Sequence, residues 1–484
     1  MKRNIGQLKT DYFDILVIGG GINGCAIARD GALRGGKVAL IEKNDFACGA
    51  SGKTTKLIHG GIRYLEQFNF KLVFEALHER AILLRTVPHL VKPLEFIIPV
   101  YKHDPRLLLK IKTGVFLYDR LAGEANIRCH QALKRDEVIE HEPNIRTQNL
   151  KGGVLYYDAQ TDDIRLCLDN AISAYEAGCC VANKVKAIDF IKDKAKITGL
   201  RVCDELSKEE FIIRSKVVIN ATAAWSNKIV KMDNPHASAI TRPTKGIHIV
   251  YRGLPHARAI LLSAYKDKRM LFVIPRGQTT LIGTTDTDYA GSADKVYATS
   301  EEVKYLLDEI RRIFPAENIN KKDIITTYAG LRPLVNTQNK LTWHVSREHI
   351  IKESNSGLIS VVGGKYTTYR HLAEQVVDVA LSKLGGRSFK ECVTKTIGPN
   401  FQRQKNLDMR QSVERAVTGE MANSLCDLLL RRLRLSAKFL LGPKLLDEYA
   451  NIMAELLGWS KSEKKSQRGL YEEEIRKNTA WKKS

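Results

Sequence analysis

From Phe13 the chain runs through FDILVI, apolar but for one acid, then through a glycine-rich turn, a stretch of small apolar residues, and a second apolar run, KVALIE. Continuous apolar runs bounded by turn residues predict strands buried on both faces, and Ala26, Ile27, Ala28 and Ala32 predict a small-sided helix between them. The order strand, turn, helix, strand describes a βαβ unit. A helix is expected from Phe70 to Leu84. Four segments, GGVLYY, KVKAIDFI, KITGLRVC and FIIRSKVVINAT, predict a second set of strands, the last returning to the first unit as a buried strand. IHIVY, RAILLS, RMLFVIP and TTLIGTTD alternate in polarity and predict an antiparallel sheet roofing a substrate site. From Ser388 the period becomes helical, as in SLCDLLLRRLRL and KLLDEYANIMAELLGW, so a separate helical domain is expected there.

The turn after the first strand carries the chemistry of a dinucleotide site. Gly19, Gly21 and Gly24 have the spacing in which the first glycine permits a tight turn, the second lets backbone approach a pyrophosphate, and the third lets helix and strand pack closely. The helix N-terminus directs partial positive charge at the pyrophosphate. Glu42 ends the second strand, where an acid suits an unphosphorylated ribose, so FAD or NAD is expected. The loop CGASGKTTK (48–56) follows, and its Ser51 and Lys56 are expected to join the cofactor site, with Lys53 either at a phosphate or solvated.

The 484 residues and 44% hydrophobic content suffice for a large core and two to four domains. The formal net charge of +23 points to anionic small molecules, nucleic acid or anionic lipid without choosing among them. Because the basic residues are spread along the chain rather than interleaved with aromatics, a nucleic-acid-associated flavoprotein is a weak alternative and no nucleic acid partner is expected. Nine cysteines without a C-x-x-C spacing argue against a disulfide scaffold and a zinc site, and fit a reducing compartment. No long uncharged apolar run occurs, and the twelve residues before Phe13 leave no room for an apolar leader, so a soluble or peripheral protein is expected.

Three clusters could carry chemistry. His59, Gly60 and Gly61 are followed by Arg63 and Tyr64, which places a titratable imidazole beside a guanidinium suited to phosphate or carboxylate. Arg332 stands in TYAGLRPL. Lys365 follows Gly363 and Gly364, with Thr367 or Thr368 capping the next helix, so that a lysine and a helix N-terminus make a positive site. Each cluster also suits a structural role: Arg63 paired with Glu66, Arg332 at the surface, Lys365 in solvent beside a capped helix.

Taken together, GGGINGCAIARD, KLIHGGIRYLE, TDDIRLCL, VIPRGQTTLIGTTD, YAGLRPL and VVGGKYTTYR, in this order over residues 12 to 385, resemble the FAD-dependent, respiratory, quinone-linked glycerol-3-phosphate dehydrogenase family. The resemblance implies an α/β fold: a glutathione-reductase-type FAD-binding Rossmann domain (1–92 with 148–234 and 326–387), an antiparallel-sheet substrate cap (93–147 with 235–325), and a C-terminal helical domain (388–484). It implies oxidation of sn-glycerol 3-phosphate to dihydroxyacetone phosphate by hydride transfer to FAD, with a quinone as final acceptor. Arg63, Tyr64, Arg332 and Lys365 are then expected at the substrate, with Arg332 and Lys365 also catalytic. Gly364, Thr367 and Thr368 are expected at the cofactor, and His59 or His248 as proton acceptor, with His59 preferred. The alternative within the family is an oxidase that uses oxygen, usually marked by a long insertion that is not evident between Asp286 and Ile324.

DPRLLLKIKTGVFLYDRL (104–121), with Arg106, Lys110, Lys112 and Arg120, reads as an interfacial helix or as a buried cap helix. With a quinone acceptor it implies peripheral attachment to an anionic membrane from the cytoplasmic side, and a homodimer is a further expectation. The family's Gly-Pro-Trp turn is replaced by Ala223, Ala224 and Trp225, which is costly only if φ at Ala223 is positive.

Overall fold

The computed structural model describes residues 1–102, 108–254, 258–336, 349–399, 407–435 and 441–482. Arg106 and the start of the 104–121 segment lie outside them.

The first sheet is built around Tyr12–Ile18, which pairs in parallel with Val38–Glu42 on one side and Glu210–Asn220 on the other. Cys180–Asn183 extends it beyond Val38–Glu42, and Ile359–Val362 extends it beyond Glu210–Asn220, both in parallel. Ile350–Glu353 closes that edge antiparallel, and the hairpin of Val185–Asp193 and Lys196–Asp204 attaches to the start of Glu210–Asn220. The uninterrupted apolar character of Tyr12–Ile18 follows from burial on two faces. Ile15 and Val17 pack beneath the helices Ile22–Leu33, Asp163–Glu176 and Tyr369–Ser382, while Leu16 and Ile18 pack with Phe190, Leu200 and Ile213.

The second sheet is mixed but mainly antiparallel. It runs Thr287–Asp288, Thr241–Arg252, Thr279–Gly283, Met270–Arg276, Ala259–Ser263, Lys92–Tyr101, Leu150–Gln160, Leu57–Ile58, with Ile324–Val335 along Thr241–Arg252 and Gln131–Leu133 along Leu150–Gln160. The strand containing GGVLYY and the strand carrying Arg332 therefore pair here. Period-two alternation divides its residues: Ile247, Ile249, Ile260, Val273 and Ile282 pack against the helix Ser300–Ile313, whereas Val250, Leu261, Ile274 and Leu281 pack against Phe70–Thr86 and Leu108–Ala122. The Phe70 helix extends to Thr86, two residues beyond its expected end.

The C-terminal helices, among them Met409–Glu414, Pro443–Leu457 and Lys461–Asn478, share a core of Val413, Leu425, Leu428, Leu446 and Met453. They are fastened to the first sheet just after Val38–Glu42, where buried Asp45 accepts from Arg432 Nη1 and Nη2 at 2.8 Å each and from Arg431 Nε at 2.5 Å. Burial alone would raise the Asp45 carboxyl, but the two guanidinium groups hold it far below the carboxylate range.

Candidate active site

At the dinucleotide turn, two of the three glycines are required by close approach. Gly19 has φ +114°, and a Cβ there would lie 2.7 Å from the Ala221 carbonyl oxygen; on Gly24 it would lie 1.9 Å from the Gly19 carbonyl oxygen. Gly21 lines the cleft described below, and a Cβ there would press on Ser51 Oγ at 3.1 Å, closer than an ordinary contact. Ser51 Oγ accepts from the Ile22 N–H at 2.9 Å, at the first turn of the helix whose N-terminus is otherwise without a side-chain cap. The Glu42 carboxylate braces the turn: Oε2 accepts from Gly20 N at 2.7 Å and Oε1 from Asn44 N at 2.8 Å, while burial pushes its pKa up. These groups fit the nucleotide half of FAD, with a helix N-terminus, a glycine at the cleft and an acid at the strand end.

A cleft of about 290 Å³ opens from this turn between the two sheets. Its lining includes Gly21, Ser51, His59, Arg63, Tyr64, His248, Arg332, Gly364, Lys365 and Thr367, bringing residues far apart in sequence to one place. Gly19, Gly24, Glu42, Lys56 and Thr368 do not line it. Lys56 is ion-paired with buried Asp163, and its ammonium lies 5.8 Å from the Tyr328 ring centroid; burial lowers its pKa and Asp163 opposes the shift. Thr368 is the N-cap residue of Tyr369–Ser382 but makes no side-chain cap bond, so the expected capping by a threonine hydroxyl does not occur. Thr367 Oγ1 instead clamps the main chain of His59, accepting from its N–H at 3.0 Å and donating to its carbonyl at 3.1 Å.

Several cations line the cleft. Lys365 Nζ lies 4.0 Å from the Tyr64 ring centroid and donates to the Gly60 carbonyl at 3.5 Å. Arg63 lies over the same ring at 5.1 Å and its Nη2 is 3.4 Å from the Tyr64 hydroxyl. Arg332 Nη1 donates to Asp286 Oδ1 at 3.1 Å, and Nη2 donates to Thr284 Oγ1 at 2.9 Å and to the Thr285 carbonyl at 3.2 Å. Arg269, which the sequence reading missed, also lines the cleft and donates to the Asp286 carbonyl. Its setting, KDKRM, reads as a solvated basic turn, and only the sheet pairing brings it here.

The two histidines differ in environment. The His59 ring meets Phe272 edge-on at 6.0 Å. His248 is buried and stacked on Tyr328 at 4.9 Å, with Nε2 3.0 Å from Thr55 Oγ1. Burial first, then Arg332 and Lys56, hold its pKa well below the ordinary value, so the ring is neutral. Gly283 makes room for it, since a Cβ there would lie 2.4 Å from His248 Cδ2. Ala223, at the edge of the cleft, has φ +51°, the left-handed conformation that a glycine accepts without cost.

Residues 14–370 match the FAD dependent oxidoreductase family, and residues 361–464 match the C-terminal domain of alpha-glycerophosphate oxidase. A glycerol-3-phosphate dehydrogenase of Synechocystis sp. is 41% identical over 411 residues, covering 81% of this chain and 74% of that protein. An aerobic glycerol-3-phosphate dehydrogenase of Staphylococcus aureus is 38% identical, covering 83% of this chain and 74% of that protein. The crystal structure of the glycerol-3-phosphate dehydrogenase from Bacillus halodurans complexed with FAD superposes with a TM-score of 0.80 at 27% identity, over 98% of this chain and 96% of that one. An L-alpha-glycerophosphate oxidase from Mycoplasma pneumoniae with FAD bound shares the fold, with a TM-score of 0.63 at 17% identity, over 82% of this chain and all (100%) of that one. With the family match spanning most of the chain and relatives of this identity, the chain belongs to the FAD-dependent glycerol-3-phosphate dehydrogenase family.

Proposed function

We propose that this protein oxidises sn-glycerol 3-phosphate to dihydroxyacetone phosphate and delivers the electrons to a membrane quinone. The observation that carries this reading is the convergence of Arg63, Arg332 and Lys365 with two histidines in one cleft that opens from the dinucleotide turn. FAD, when bound, supplies the acceptor for the hydride that leaves C2 of the substrate. The chain's own residues do the rest. Arg63, Arg332 and Lys365 take the phosphate, with the Tyr64 hydroxyl and ring fixing Arg63 and Lys365 in place. His59 takes the proton of the C2 hydroxyl; its main chain is held by Thr367, so the imidazole is presented from a fixed base. His248 stays neutral, because a proton there would add charge beside Arg332 and Lys56 in a buried place. Glu42, Ser51 and the Gly21 backbone hold the nucleotide half of the cofactor.

The membrane side of the proposal is supported by an exposed apolar face. Phe68, Phe70, Phe74, Leu109 and Phe116 are exposed, with Lys71, Lys110 and Arg120 exposed among them. Aromatics with basic neighbours suit the headgroup region of an anionic bilayer on the cytoplasmic side. Among the described residues no helix is long and apolar enough to cross a membrane.

A second reading, an oxidase passing electrons to oxygen, draws on the description of the matching C-terminal domain. Steady-state turnover of the FAD-loaded enzyme with glycerol 3-phosphate separates the two. Fast turnover with a soluble quinone analogue under nitrogen, and little hydrogen peroxide in air, supports the dehydrogenase; equal or faster turnover with oxygen alone overturns it.

A further inference from the structure

The turn at Gly60 is gripped from below by a buried polar cluster that lies under the cleft. Asp158 Oδ1 accepts from the Gly60 N–H at 3.2 Å and from Arg80 Nη1 at 2.7 Å, and the Tyr118 hydroxyl lies 2.9 Å from both carboxylate oxygens, donating to the pair. Arg80, Tyr118 and Asp158 are all buried. On the other side of the same turn, the Gly60 carbonyl accepts from Lys365 Nζ. A Cβ on Gly60 would lie 2.4 Å from the Tyr118 hydroxyl and 2.6 Å from Leu77 Cδ2, so the turn has no slack on that side.

The gripping residues come from the two helices that form the exposed apolar face. Leu77 and Arg80 lie on Phe70–Thr86, whose outer side presents Phe70 and Phe74; Tyr118 lies on Leu108–Ala122, whose outer side presents Leu109 and Phe116. Phe116 and Tyr118 are two residues apart on one helix, the first exposed and the second buried against Asp158. Any displacement of that helix therefore moves the hydroxyl that holds Asp158, and the Gly60 peptide directly precedes the residues that carry Arg63 and Tyr64.

We propose that Tyr118, acting through Asp158, is a positioning residue for the substrate loop and ties that loop to the exposed face of the helix Leu108–Ala122. The tie rests on the reading above, in which this face meets an anionic bilayer and the loop binds glycerol 3-phosphate. A bilayer contact that shifts the helix then shifts the phosphate-binding end of the cleft, and removing the Tyr118 hydroxyl uncouples the two.

The test measures KM for glycerol 3-phosphate of the FAD-loaded wild type and Tyr118→Phe, with and without phosphatidylglycerol vesicles, alongside co-sedimentation. The wild type is expected to sediment and to change KM about fivefold or more on vesicle binding, the low end of ordinary coupling between sites. Tyr118→Phe is expected to sediment equally and retain flavin, with a KM raised above the wild-type value and unresponsive to vesicles. A Tyr118→Phe enzyme whose KM responds as the wild type does overturns the proposal, as does a wild type that sediments without a change in KM. A wild type that fails to sediment removes the docking reading instead; the positioning role then falls if Tyr118→Phe has the wild-type KM. Wild type without turnover on glycerol 3-phosphate strikes the substrate reading alone.

Discussion

The Arg332 guanidinium lies against the Asp286 carboxylate, Nη1 donating to Oδ1 at 3.1 Å, so an arginine proposed to take the substrate phosphate is oriented by an acid of its own chain. It is also threaded past Gly246, where a Cβ would fall 2.3 Å from Nη2. An arginine held in this way is preorganised, which lowers the ordering cost of the phosphate contact proposed for it. Arg332→Ala is expected to lower kcat/KM by about 10- to 100-fold, the equivalent of one charge-assisted hydrogen bond, with flavin content unchanged. Arg332→Lys should recover little of this, since a lysine lacks the planar fork. Wild-type kcat/KM in either variant would take Arg332 out of the substrate site.

The division of labour between the histidines has a kinetic signature. His59→Gln should lower kcat by about 10²- to 10⁴-fold, the ordinary contribution of a general base, and should retain FAD. Full turnover in that variant would transfer the role to His248.

The environment of His248 also makes stability depend on pH. Its folded pKa lies well below the ordinary value of 6.5, so between the two values the unfolded chain binds more protons than the folded one. The contribution is fully present above pH 6.5 and is lost as pH falls below it towards the depressed folded value. His248→Gln, which can keep the bond to Thr55, should therefore show a flatter loss of Tm on acidification than the wild type. Parallel curves would mean that the buried imidazole titrates normally.

Ala223 carries a conformational cost visible in its backbone. With φ +51°, its methyl group is held in the left-handed region, which disfavours alanine by roughly 1–2 kcal/mol, while glycine adopts it freely at some cost in unfolded-state entropy. Ala223→Gly is expected to stabilise the holoprotein by about 0.5–1 kcal/mol, read as a rise in Tm. A fall in Tm would show that the methyl group contributes packing that outweighs the backbone strain.

How much of this could be read from sequence depended on whether a residue's partners were local. Gly19 was legible through the positive φ of the tight turn and Gly24 through its approach to the Gly19 carbonyl, both within one βαβ unit, whereas the approach of Gly19 to Ala221 is long-range and was not. The apolar runs located the strands because burial on two faces leaves a continuous signature. Glu42 was legible as a strand-end acid, but not as a brace for the turn. Lys56 reads as a cofactor contact in a polar loop, yet Asp163, more than a hundred residues away, holds it. Thr367 and Thr368 suggested a capped helix, whereas Thr367 is spent on the main chain of His59. Arg269, Asp286 and the Tyr118–Asp158–Gly60 cluster depend on sheet register and helix packing, which no local pattern encodes.

The proposed reaction brings glycerol 3-phosphate against the cations and His59 of this cleft, beside bound FAD. The most direct measurement adds glycerol 3-phosphate to the anaerobic holoprotein and follows the visible flavin absorption band. Rapid bleaching that a soluble quinone analogue reverses is the expected result. A flavin band that persists at saturating glycerol 3-phosphate would contradict it.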